Sequence, residues 1–171
     1  MNTSSPRAAA RTVDAAQFRL ALSQFATGVT VITTRLADGS FRGLTASSFN
    51  SVSLNPPLVL WSLGEAANSM PVFSGNSHYV INVLAADQGA LAERFSRRTD
   101  DPFASTDYEL SRTGQPILKG VSAWFECHNR SRYPEGDHVI FVGEVEECAV
   151  QPQASLIFHG GRFGSTESTV K

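Results

Sequence analysis

A chain of 171 residues with 42% hydrophobic content is long enough to bury one continuous core without disulfides or a structural metal. Acids and bases are interspersed to a net charge of −2, which leaves no basic stripe for a nucleic-acid backbone, and no eighteen apolar residues run together to span a membrane. Two cysteines, Cys127 and Cys148, are too few for a disulfide framework or a four-ligand zinc site; they read as small buried hydrophobes in a reducing, cytoplasmic setting.

Residues 1–13 lack any apolar run and read as a flexible tail, residues 14–166 as one domain, and 167–171 as a flexible C-terminus. Asp14, with Gln17 three residues on and Phe18, Ala21, Leu22 and Phe25 on one face, predicts an N-capped amphipathic helix that ends before Gly28 and packs on a sheet. Residues 29–34 are β-rich, and Asp38-Gly39 supplies a tight turn into a second strand. That strand is unusual. From Gly43 to Leu60 it carries Thr45, Ser47, Ser48, Ser51 and Ser53 before Pro56-Pro57, which fits either an edge strand with a wet face or a wall against which a flat polar ligand lies.

A third strand follows at 58–63, and Ser69-Met70-Pro71 opens a short helix. Next come a strand at 78–84 and a helix capped by Asp87 through Ala90, Leu91, Arg94 and Phe95. A polar loop at 97–106 leads to two long alternating strands, 121–130 and 138–150, joined through 133–137. A last strand at 155–159 precedes Gly160-Gly161. Six or seven strands, often consecutive, with three short helices predict a mainly β fold, an antiparallel barrel decorated by helices. Trp61, Trp124, Phe125 and Phe141 fall where they fill the barrel or a dimer seam. His78 and His128 lack metal-ligand spacing, and neither a G-x-G-x-x-G after a strand nor a P-loop is present.

Five blocks in order carry a family resemblance: FRLALSQFATGVTVITT at 18–34, the hydroxyl-rich 43–60, the strand 78–84 containing VINVL, LAERFS at 91–96, and Gly136-Asp137-His138 followed by Gly143-Glu144-Val145. Together they resemble the flavin reductase-like family, the small reductase components of two-component flavin monooxygenases. The resemblance implies a Greek-key antiparallel split β-barrel, a homodimer with FMN or FAD near its interface, and NADH or NADPH as hydride donor. The implied activity is NAD(P)H:flavin oxidoreduction that supplies reduced flavin to a separate flavin-dependent monooxygenase. Relatives that hold their flavin tightly for another acceptor such as a corrinoid, and a non-catalytic flavin-binding protein, are the alternatives.

By the same resemblance Gly28, Val29, Thr45, Ala46, Ser47, Ser48 and Asn82 lie against the flavin, and Ser62, Asn68 and Ser69 at its ribityl-phosphate end. Asn68 and Ser69 also read as an ordinary helix cap. Many relatives carry a lysine or arginine after the third strand, where this chain has Gly64-Glu65-Ala66-Ala67, so Arg94, or else Arg97 or Arg98, stands in as the phosphate's cation. His138 is implied to orient the nicotinamide and flavin, while His159, Arg162 and Phe163 hold the nucleotide; a glycine turn with a capping aromatic explains the last group equally well.

Overall fold

The computed structural model describes residues 12–97 and 101–166; Arg98 and nearly all of the two expected tails lie outside them. It opens on α1 (Ala15–Ser23), where the Asp14 carboxylate accepts the Gln17 N–H at 2.8 Å as the sequence predicts. Its apolar face differs from expectation. No residue of α1 is buried, Phe18 and Leu22 are more than half exposed, and the helix leans on the molecule through its C-terminal end, where Gly160 N–H donates to Ser23 O. The partner for that face is not within the described chain.

Seven strands build one antiparallel sheet. They are β2 (Thr30–Arg35), β3 (Phe41–Ala46), β4 (Asn50–Leu54), β5 (Pro57–Gly64), β6 (His78–Val83), β9 (Ala123–Glu135) and β10 (His138–Val150), in the order β3-β2-β6-β9-β10-β5-β4. Only three residues, Ser47, Ser48 and Phe49, join its opposite edges β3 and β4, so at this point the edges are held within about 14 Å. The sheet must therefore curl, but β3 and β4 share no ladder and the barrel stays split. A second sheet joins β1 (Thr27–Gly28), β11 (Leu156–His159) and β12 (Arg162–Ser165), and a third pairs β7 (Tyr108–Leu110) with β8 (Pro116–Leu118). Among the described residues there are twelve strands rather than six or seven. The hydroxyl-rich run breaks at 47–49 because short hydroxyl side chains fit a bend as well as a strand, and β9 continues through 133–135, leaving Gly136 (φ +65°) and Asp137 as the turn.

Strand alternation sorts the core into two clusters. Ile32, Trp61, Tyr79, Ile81 and Phe141 face the inside of the curl, where the Trp61 ring stacks on Phe141 at 4.6 Å and meets Phe73 edge-on from α2 (Met70–Gly75). Val29, Val31 and Leu84 face outward beneath α3 (Gly89–Ser96), together with Phe95, Phe103 and Leu118. Gln88, not Asp87, precedes α3; its Oε1 accepts the Ala85 N–H and its amide donates to Lys119 O, so it ties loops together and leaves the first turn uncapped by a side chain. Cys127 is buried as expected, and its burial raises its thiol pKa; Cys148 is exposed near the end of β10.

Candidate functional site

The β2–β3 hairpin starts the site. Its turn forms at Asp38-Gly39 as predicted, with Ser40 N–H and O–H both donating to the Asp38 carboxylate and Gly39 at φ +88°. Along β3 the side chains then diverge. Thr45 Oγ1 donates to Ala92 O in α3 at 2.6 Å, and Ala46 packs into the inner core. At the bend Ser47 and Ser48 are exposed. Ser48 Oγ accepts the Ser62 N–H at 2.9 Å and lies 3.2 Å from Ser62 O, so it joins the bend to β5 across the open seam. Ser47, Ser48 and Ser62 are thus brought together; Thr45 and Ala46 support them from behind.

Alongside β3 lies an open groove of about 580 Å³, walled by Arg42 and Gly43, by Asn68 and Ser69 before α2, and by Phe95, Ser96 and Arg97 at the end of α3. Gly43 is required for this approach, since a Cβ there would stand 2.6 Å from Phe95. Ser69 precedes α2 without capping it by its side chain, so capping does not account for its hydroxyl. Arg97 shares its guanidinium with Glu93 at 2.8 Å, whereas Arg42 is in no ion pair among the described residues. Arg94, expected as the phosphate's cation, instead donates from Nη1 to Ser105 O and Thr106 Oγ1 and does not line the groove. Its role is to hold the segment after α3. Arg42, which carries no pattern beyond a basic residue before Gly43, was not among the residues read from the sequence.

His138 begins β10 opposite Gly64, the last residue of β5, with Nε2 3.8 Å from where a Gly64 Cβ would stand. Its Nδ1 lies 2.7 Å from Asp137 Oδ1, and this hydrogen bond holds the Asp137 carboxyl below the usual carboxylate range. The imidazole is half exposed beside the segment that leads from Gly64 to Asn68 and Ser69.

Two expected flavin contacts leave the set. Asn82 is completely buried: its amide donates to Val31 O and Thr33 Oγ1, and its Oδ1 accepts the Leu118 N–H. Val29 is core, and both its main-chain groups are bonded, to Leu156 O and Leu84 N–H. Gly28 lies exposed in β1, where an added Cβ would meet nothing. His159, Arg162 and Phe163 form the β11–β12 hairpin next to it, and Phe163 reaches the first residue of α3, Gly89, at 3.6 Å from its Cβ position. The groove lies at the other end of α3, about 12 Å away along eight residues. One protomer therefore does not unite the hairpin with the groove. His78 and His128 meet at a tilt of 58° with ring centroids 5.4 Å apart, His78 lies 3.5 Å from Glu146, and no three acidic, His or Cys side chains among the described residues form a metal-ligand group.

Residues 22–167 match the model of the flavin reductase like domain. The chain belongs to the flavin reductase-like family. It is 45% identical over 147 residues to the FMN reductase (NADH) SmoA of Agrobacterium fabrum, covering 86% of this chain and 83% of that one. It is 36% identical over 160 residues to the flavin-dependent monooxygenase reductase subunit HsaB of Rhodococcus jostii, covering 93% and 82%. The NADH:FAD oxidoreductase SgcE6 of Streptomyces globisporus C-1027, solved with NAD and FAD fragments, superposes on this family member with a TM-score of 0.87 at 36% identity, over 95% of this chain and all of that one.

Proposed function

We propose that this protein is an NAD(P)H:flavin oxidoreductase that reduces FMN or FAD and releases the product to a separate flavin-dependent monooxygenase. The observation that carries the reading is the open groove beside β3. Two guanidinium groups, an amide and hydroxyls suit the phosphate of a flavin nucleotide, and the six residues from Arg42 to Ser47 rise about 16 Å along the hairpin to the exposed serine bend. The donor set therefore fits the cofactor. When bound, the flavin supplies the hydride-accepting ring.

The chain's own residues bind and orient. Arg42, Arg97, Asn68 and Ser69 hold the phosphate end; Ser47, Ser48 and Ser62 give a flat, hydroxylated rest for the ring; Thr45 and Ala46 fix the strand beneath it. Asp137, by accepting from Nδ1, fixes the His138 ring so that Nε2 faces the end of β5, where it orients the donor carboxamide or the flavin. His159, Arg162, Phe163 and Gly28 belong to the nucleotide side and serve a neighbouring groove across a homodimer. The uncovered face of α1 supports a second copy. A cytoplasmic setting accords with the free thiols and with the absence, among the described residues, of any helix long and apolar enough to cross a membrane.

An open groove favours exchange over a permanently held cofactor. Oxidation of NADH and NADPH followed with added FMN, FAD and riboflavin tests this: turnover that saturates with flavin supports the proposal. A stoichiometric, non-exchanging flavin supports reduction of another acceptor, and binding without nucleotide oxidation supports a carrier.

A further inference from the structure

A second groove, of about 450 Å³, adjoins the first. Arg42 lines both, and the consecutive residues Asp101, Pro102 and Phe103 divide them. Its character is different. An aromatic wall runs from Phe95 in the first groove to Phe103 (5.1 Å between centroids), then to Phe41 (5.5 Å) and Tyr108 (5.1 Å from Phe41). Phe103 is buried and anchors the wall, while Phe41 and Tyr108 are half buried and keep ring surface at the groove.

The wall is held in place from several sides. Arg94 grips Ser105 and Thr106, Thr106 Oγ1 donates back to Pro102 O at 2.8 Å, and Lys119 N–H donates to Asp107 O. Asp101 stands at the rim with Oδ1 accepting the Phe103 N–H at 2.9 Å, and a carboxylate has capacity for further donors.

We propose that this second groove is an adenylate subsite, taking the adenine and ribose of a dinucleotide whose pyrophosphate crosses Arg42. The inference rests on the oxidoreductase reading above. The chemistry comes from the order of the groups: a cation suited to linked phosphates, then stacking surface for a flat heterocycle, then an acceptor that repels a further anion but takes ribose hydroxyls or an exocyclic amine. FMN ends at its phosphate in the first groove and does not reach the wall. FAD and NADH both carry the required adenylate, so the subsite sorts dinucleotides from mononucleotides.

The test uses the intact protein and three probes: FAD, FMN and 5′-AMP. Wild-type protein is expected to bind FAD about tenfold or more tighter than FMN, with 5′-AMP displacing FAD competitively and leaving FMN in place. Ala104 is exposed on the groove's rim. Ala104→Trp fills the groove and brings the FAD affinity to that of FMN, whose own Kd moves less than about twofold. If instead 5′-AMP competes with NADH, and Ala104→Trp raises the KM for NADH with FMN as acceptor, the adenylate comes from the nicotinamide nucleotide and the subsite stands. FMN binding and turnover that persist while 5′-AMP competes with neither dinucleotide would overturn this inference alone; because that arm uses wild-type protein, it holds even if the variant fails to fold. Absence of all flavin binding by the wild type would overturn the oxidoreductase reading and this inference with it.

Discussion

Polar side chains gather in two regions of this molecule, under β2, β6 and β9 and along the β3 edge, and only those of the second region face open space. In the first, Thr33 Oγ1 donates to Pro116 O at 2.5 Å, Asn82 Oδ1 accepts Leu118 N–H, and Glu126 Oε1 accepts from Ser111 Oγ, Thr113 Oγ1 and Thr113 N. Each of these bonds docks the β7–β8 hairpin onto the sheet. In the second, Arg42, Ser47 and Ser69 border a groove or a bend open to solvent. The comparison teaches that a hydroxyl or amide in a strand does not identify a ligand site when a neighbouring chain segment both covers it and uses its bonding capacity.

Breaking the interior region should cost stability and spare ligand binding. Glu126→Ala strands three donors and is expected to lower unfolding free energy by about 2–4 kcal/mol, read from the urea midpoint, with FMN affinity of the folded fraction unchanged. Burial pushes the Glu126 carboxyl up, but the bonds from Ser111 and Thr113 outweigh it and hold the group below its usual range. Its stabilisation is thus complete above the unfolded value, about 4.3, and is lost as pH falls through the lower folded value; Glu126→Gln should flatten the acid limb of a stability profile.

Breaking the edge region should do the reverse. Ser47→Leu places a branched side chain on the proposed ring rest and is expected to weaken FMN binding by about a hundredfold or more, near 2.7 kcal/mol, with a wild-type melting curve. Asn82→Ala sharpens the contrast from inside, with a stability loss of about 1–3 kcal/mol and no change in FMN Kd. His138→Ala is the mildest, a roughly five- to tenfold fall in NADH-supported rate with a smaller change in flavin affinity, separated by steady-state kinetics. An unchanged rate would reduce the histidine to a hairpin residue.

Local signals carried much of the fold. Asp14 as cap, the Asp38-Gly39 turn, β5 and β6 were legible because each depends on a few neighbouring residues. The packing of α1 was not, because its apolar face has no partner within the described chain. Of the residues expected through the family pattern, Asn68 and Ser69 line the groove and Ser47 and Ser48 lie exposed at its bend, but Asn82 is buried away from both. Strand alternation places Ile81 on the inner core and Asn82 on the opposite face, and the sequence does not reveal that β8 covers that face too. Arg42 and the aromatic groove beyond it depend on how α3 crosses Gly43, a contact made only by the folded chain.

The most direct measurement compares FMN with riboflavin, which differ only by the phosphate, in fluorescence titrations of the wild type and of Arg42→Glu. The expected result is at least about a tenfold preference of the wild type for FMN, lost in the variant, with riboflavin binding the same in both. Equal affinities for the two flavins in the wild type, or no affinity for either, would contradict a flavin lying along β3 with its phosphate at Arg42.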